Sequence, residues 1–215
     1  LAVPFSSTCH SALMRSLKMY SISTSDMNVL DMGSMEAAGA FKGGMIDGAW
    51  VWDPAYTEML NAGGHILITS GMVGKMGYPT WNNIVVRADF AEKYPAVVTD
   101  YTKAFLRTID YYHQNPADAA SLVAKKLGTD ETSVKRFMKR FGFIPAEQQL
   151  SQEWFGSEEN PGKVVMSFQD MSKFLVDQKE LDKPLSMDKC QDAIDRTFLR
   201  RSEEHTSELQ SPSAI

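Results

Sequence analysis

Cysteine is almost missing from this chain. Cys9 and Cys190 are the only two in 215 residues, too few for a paired CxxC zinc site or a disulfide scaffold. They leave the redox compartment undecided. Long apolar runs are missing too: no stretch approaches the roughly 18 residues that a membrane-spanning helix needs. Basic excess is absent, with 22 Lys and Arg against 27 Asp and Glu and a formal net charge of −5. A nucleic-acid binder needs a concentrated basic face, so no nucleic-acid partner is expected. There is no GxSxG elbow, no HExxH, no P-loop and no GxGxxG after a strand. Cys9 and His10 are neighbours, but adjacent residues on a helix diverge by about 100°, so they do not pair as thiolate and base. His65 and His113 stand alone. The chain is therefore expected not to be an enzyme and to need neither metal nor cofactor.

What is present suits a globular protein. With 43% hydrophobic and 23% charged residues, a chain of this length can bury a core without disulfides or metal. Residues 1–80 alternate strand and helix signals. Leu1–Phe5 is a strand candidate, and Ser6, Ser7 and Thr8 bring cap chemistry to a helix carrying Ala12, Leu13, Leu17 and Tyr20 at helical spacing. Met27–Met32, Ala49–Trp52 and Ile66–Ile68 read as further strands, separated by helices that stop at Gly43-Gly44 and Gly63-Gly64. This alternation predicts a parallel sheet covered on both faces. After Ile84-Val85-Val86 the signals become almost wholly helical, with Pro95–Tyr112, Ala117–Leu127, Val164–Asp177 and Met187–Leu199 as the main segments.

Both ends look unusual. Leu1 is not Met and opens directly on an apolar strand, so the natural N-terminus is expected upstream. From Arg201 the chain is polar and unrelated to the preceding pattern. Arg201–Ser211 reads as the in-frame translation of a sequencing-library adapter, so residues 201–215 are expected to form a disordered tail outside the fold. His205 leaves the set of candidate residues with it.

The residues suggest binding rather than catalysis. Ser6-Ser7-Thr8 lies between a strand end and a helix start, where unpaired N–H groups and the helix dipole favour an anion, although simple N-capping accounts for the same residues. Trp50 and Trp52 lie on one strand candidate, where one is expected in the core and the other near the ligand-binding edge of an open α/β sheet. An indole face there would offer a small cation a cation–π contact. Asp53 could neutralise an ammonium, or cap a helix that starts at Pro54.

Three segments carry a family resemblance: Ala2–His10 (AVPFSSTCH), Ile46–Ala55 (IDGAWVWDPA) and Pro79–Lys93 (PTWNNIVVRADFAEK). In this order they resemble the taurine-binding periplasmic proteins of ABC importers, within the wider group that binds aliphatic sulfonates, nitrate and thiamine precursors. The resemblance runs from Leu1 to about Leu199 and starts partway into the family's chain. It implies an α/β fold of the type II periplasmic-binding-protein kind: two lobes joined by a hinge, with the first lobe incomplete here. Residues 1–80 would be the second lobe, 81–88 the return hinge strand, and 89–200 the mostly helical remainder of the first lobe. It also implies that Ser7 and Thr8 bind the sulfonate, that His10 supports their turn, and that Trp52 lines the cleft. Thr80, Trp81 and Asn82 would lie in the facing wall; either Asp53 or Asn82 would meet a ligand amine, or the ligand carries none. Asn82 stands where the family often has an acid. The implied protein is a periplasmic substrate-binding subunit for taurine or a related small sulfonate, monomeric when full length, with permease and ATPase subunits as partners. Alternatives of the same fold are a thiamine-pyrimidine-precursor synthesis or binding protein and a ligand-sensing domain of a regulator.

Overall fold

The computed structural model describes residues 1–202. These divide into two compact units, the first made of Leu1–Trp81 and Gln169–Leu185, the second of Asn82–Phe168 and the chain from Ser186 onward.

The first unit is built around a short parallel sheet. Strand β1 (Ala2–Val3) pairs with β2 (Leu30–Asp31) in parallel, Ala2 opposite Leu30 and Val3 opposite Asp31. On its other side β1 meets Ala49, again in parallel, through Ala2 N–H to Gly48 O at 3.0 Å and Trp50 N–H to Ala2 O at 2.9 Å. β1 is thus the central strand. Alternation along it sends Ala2 and Val3, both 0% exposed, to opposite faces. Val3 packs with Cys9, Leu13 and Leu17 of helix α1 (Thr8–Met19), with Trp50 against them. Ala2 packs with Ala37 and Ala40 of helix α2 (Ser34–Lys42) and with Ile46. Helix α3 (Ala55–Asn61) adds Ala55 and Met59 against Ala38, and helix α4 (Ser70–Lys75) lies against α1. Both faces of the sheet are covered, as its apolar strand requires.

The second unit has no strand among the described residues apart from an isolated bridge between Gly156 and Pro161. Its helices are α5 (Ala88–Lys93), α6 (Pro95–Gln114), α7 (Pro116–Leu127), α8 (Glu131–Met138) and α9 (Ala146–Gln149). Helix α10 (Lys163–Asp177) begins in this unit and ends in the first, and α11 (Met187–Asp192) follows. α7 and α8 form a hairpin: Gly128 takes the left-handed conformation at φ 66° and Asp130 caps α8 by accepting from Ser133 N–H at 2.8 Å. Ala119, Ala120 and Ala124 let the pair approach closely around Val134 and Met138. Near the end of the chain the buried Arg196 donates to Gly156 O, Phe155 O and Gln191 Oε1 at 2.7–2.9 Å, tying a polar turn to the last helices.

Several expectations change. Ile66–Ile68 and the hinge strand expected at 81–88 form no ladder among the described residues; their backbones find no neighbouring strand, and a strand is completed only by its neighbour. Residues 169–185, expected with the helical remainder, group with the first unit. The expected tail boundary also moves. Arg201 and Ser202 continue a helix, and Ser202, buried, donates its hydroxyl to Phe198 O at 2.6 Å. The rest of the expected tail, residues 203–215, lies outside the described residues.

Candidate functional site

In a parallel sheet, the segments leaving the C-terminal ends of adjacent strands emerge on one edge. Here that edge gathers Pro4–Thr8 after β1, Met32–Ser34 after β2, and Trp52-Asp53 after the Ala49 segment.

The turn into α1 is held from several directions. Ser7 is the N-cap: its Oγ accepts from His10 N–H at 3.2 Å and donates to Pro4 O at 2.6 Å. Its hydroxyl is therefore committed to the cap. Of the first-turn amides, that of His10 is taken by Ser7 Oγ, and Thr8 is exposed at the start of the helix. Ser6 adopts φ 55°, and its N–H donates to His10 Nδ1 at 3.2 Å. His10 is only 3% exposed. Its ring stacks on Phe5 at 4.4 Å and meets the edge of Phe174 at 5.3 Å. Burial among these rings lowers its pKa, partly opposed by the charge of Asp31. It is a neutral ring that accepts at Nδ1, a strut under the turn. Asp31 closes the arrangement by accepting from Phe5 N–H at 2.8 Å.

Cys9 points the other way, into the core beneath α1, where burial pushes its thiol up to about 11. That thiol is no nucleophile.

Trp50 packs against the core, while Trp52 is 50% exposed. Alternation alone would put residues two apart on one face, so the split arises because the chain leaves strand geometry after Ala49. Asp53 does not cap α3. The helix begins at Ala55 with Pro54 at the cap position, and the Asp53 carboxylate accepts from the Thr57 hydroxyl. Thr80 and Trp81 lie half-buried at the end of the first unit's leading segment, and Asn82, exposed, opens the second unit. The structure thus gathers Ser7, Thr8, His10, Trp52 and Asp53 on one edge, while Thr80, Trp81 and Asn82 are not on those strand ends.

Sequence reasoning missed three residues here. Asp31 supports the turn. Ser34 starts α2 with a buried hydroxyl that makes no hydrogen bond among the described residues. Glu180 accepts from Ser6 Oγ at 3.0 Å, across 174 positions of sequence. Parallel pairing could have flagged the first two; no local signal points to the third.

No group of three or more His, Cys, Asp or Glu residues suited to a metal occurs among the described residues. No helix among them is long and apolar enough to cross a membrane.

A parallel sheet covered by helices on both faces, with a capped helix N-terminus at the C-terminal edge of its strands, defines an α/β fold of the periplasmic-binding-protein kind. The solved structure of the periplasmic aliphatic sulphonate binding protein of Escherichia coli shares it, with a TM-score of 0.68, 18% identity, and alignment over 93% of this chain and 62% of that one. The chain belongs to the NMT1-like family, which matches residues 1–128. It is 33% identical to the taurine-binding periplasmic protein of Escherichia coli over 184 residues, 83% of this chain and 55% of that protein. It is 25% identical to a Bacillus subtilis protein named for aliphatic-sulfonate binding, over 85% of this chain and 50% of that protein. The chain spans about half the length of these two relatives.

Proposed function

We propose that this chain belongs to the extracytoplasmic substrate-binding subunit of an ABC importer for taurine or a related small sulfonate, and that it binds its ligand without chemical change. The observation that carries this reading is the turn at Ser6–His10. It places the exposed Thr8 at a capped helix N-terminus braced by the buried His10, which accepts at Nδ1 from Ser6 N–H. A sulfonate has three oxygens and a spread negative charge, so it suits several fixed donors and a helix dipole. The names of the relatives support the same ligand class.

In this reading Thr8 donates to the sulfonate, Ser7 and His10 hold the turn, and Trp52 packs beside the ligand. Thr80, Trp81 and Asn82 contribute the facing wall. Asp53, engaged with Thr57, supports the edge and is less available to the amine. Ligand that touches both walls stabilises the closed form, which the permease and ATPase subunits would receive on the periplasmic side.

Calorimetry on the chain extended to its relatives' length tests this. Thr8→Ala should weaken taurine binding by roughly 1–3 kcal/mol, the cost of a lost hydrogen bond to a charged group. Cys9→Ala should leave binding unchanged. Tight binding of a thiamine precursor, with none of taurine, would favour the rival ligand class.

A further inference from the structure

We propose that Glu180 sets the edge's preference for an amino-sulfonate, a zwitterion, over a plain alkyl sulfonate; this rests on the sulfonate reading above. Glu180 is fixed by the turn that ends α10. Lys179 takes φ 63° and donates its N–H to Val176 O at 2.9 Å, and Glu180 N–H bonds Leu175 O at 2.9 Å. From there its carboxylate reaches Ser6 Oγ at 3.0 Å. Both partners are anchored on one ring: Ser6 through its N–H on His10 Nδ1, and α10 through Phe174, whose ring stands nearly perpendicular to that of His10. The contact therefore holds a negative charge one residue before the N-cap of α1.

The other acids at this edge have different work. Asp31 accepts from the Phe5 amide, and Asp53 accepts from the Thr57 hydroxyl. Glu180 forms no ion pair among the described residues, and the neighbouring polar side chain it meets is neutral. A carboxylate in that place repels a bare anion at the helix end. When the ligand carries an ammonium two carbons from its sulfonate, the same carboxylate attracts that cation. The repulsion acts on the sulfonate of either ligand, so the attraction of the ammonium is what favours the amine-bearing one. Asn82, which is neutral, can do neither.

The test compares taurine with 1-propanesulfonate, which puts a methyl group where taurine has its ammonium. Both are titrated at one ionic strength into the chain extended to its relatives' length, and into its Glu180→Gln and Glu180→Lys variants, each checked for folding by its melting curve. The wild type should prefer taurine. In Glu180→Gln that preference should shrink roughly fivefold, the scale of one partly exposed charge pair, and in Glu180→Lys it should invert. Equal changes for the two ligands in both variants would overturn the role of Glu180 while leaving the sulfonate reading intact. A wild-type chain that binds neither sulfonate would overturn the reading and this role together.

Discussion

Two apolar runs of similar character have opposite fates in the two units. In the first unit, Ala2 and Val3 lie fully buried between β2 and the Ala49 segment. In the second, Ile84, Val85 and Val86 are better strand formers by side chain, yet Val85 is 88% exposed and none of the three joins a ladder. β-branched residues favour extended backbone, but only a neighbouring strand satisfies the backbone and only a covering helix buries the side chains. The first unit supplies both. The second takes its core from helix pairs instead, with an alanine seam between α7 and α8 and with Leu106 and Ile109 of α6 against Leu199.

If this contrast is right, truncation in the first unit should cost most. Leu13→Ala removes a side chain packed between α1 and β1 and should lower unfolding free energy by roughly 2–5 kcal/mol in urea. Arg196→Met should come next. It deprives the buried Gly156 carbonyl, the partly buried Phe155 carbonyl and Gln191 of a charged donor, for about 2–3 kcal/mol, and hydrogen exchange should place the loss around Phe155 and Gly156. Ser7→Ala removes the α1 cap and should cost about 1 kcal/mol, with Ser7→Asp recovering most of it. The pH effect is smaller. Because His10 is held below its ordinary 6.5, the unfolded chain takes up the proton first as pH falls. Its contribution is then complete above about 6.5 and is lost as pH drops from there through the folded value. Denaturant midpoints at pH 7.5 and 5.5 should show a drop that His10→Gln diminishes. Val85→Thr should be least, within about 0.5 kcal/mol. A cost rivalling Leu13→Ala would mean that Val85 is buried in solution and that the contrast fails.

The helices were the readable part of the sequence. Ser7, Gly128 and Asp130 mark ends through local hydrogen bonds that a few neighbouring residues determine, so pattern and structure agree there. Strands were harder, because Ile66–Ile68 carries the right residues without a partner at hand. Asp53-Pro54 looked like an N-cap, but a free carboxylate can serve a nearby hydroxyl as well as a helix amide, and here it serves Thr57. The split of Trp50 from Trp52 did not follow from strand alternation, which puts residues two apart on one face; it arises because the chain leaves strand geometry after Ala49. Asp31 and Ser34 reach the site only through the parallel register of β1 and β2, and Glu180 only through the return of α10 to the first unit. Those relations are long-range, and no short motif records them.

The two thiols have a use that neither ligand nor sheet suggests. Cys9 lies in the first unit and Cys190 in the second; both are buried and unpaired, and burial raises both pKa values. A native thiol of this kind reacts with an alkylating reagent only when its surroundings open. The chain therefore carries one chemical stopwatch in each unit. Pulses of iodoacetamide, read by peptide mass after increasing delays, would time the opening of each unit separately, with no engineered label.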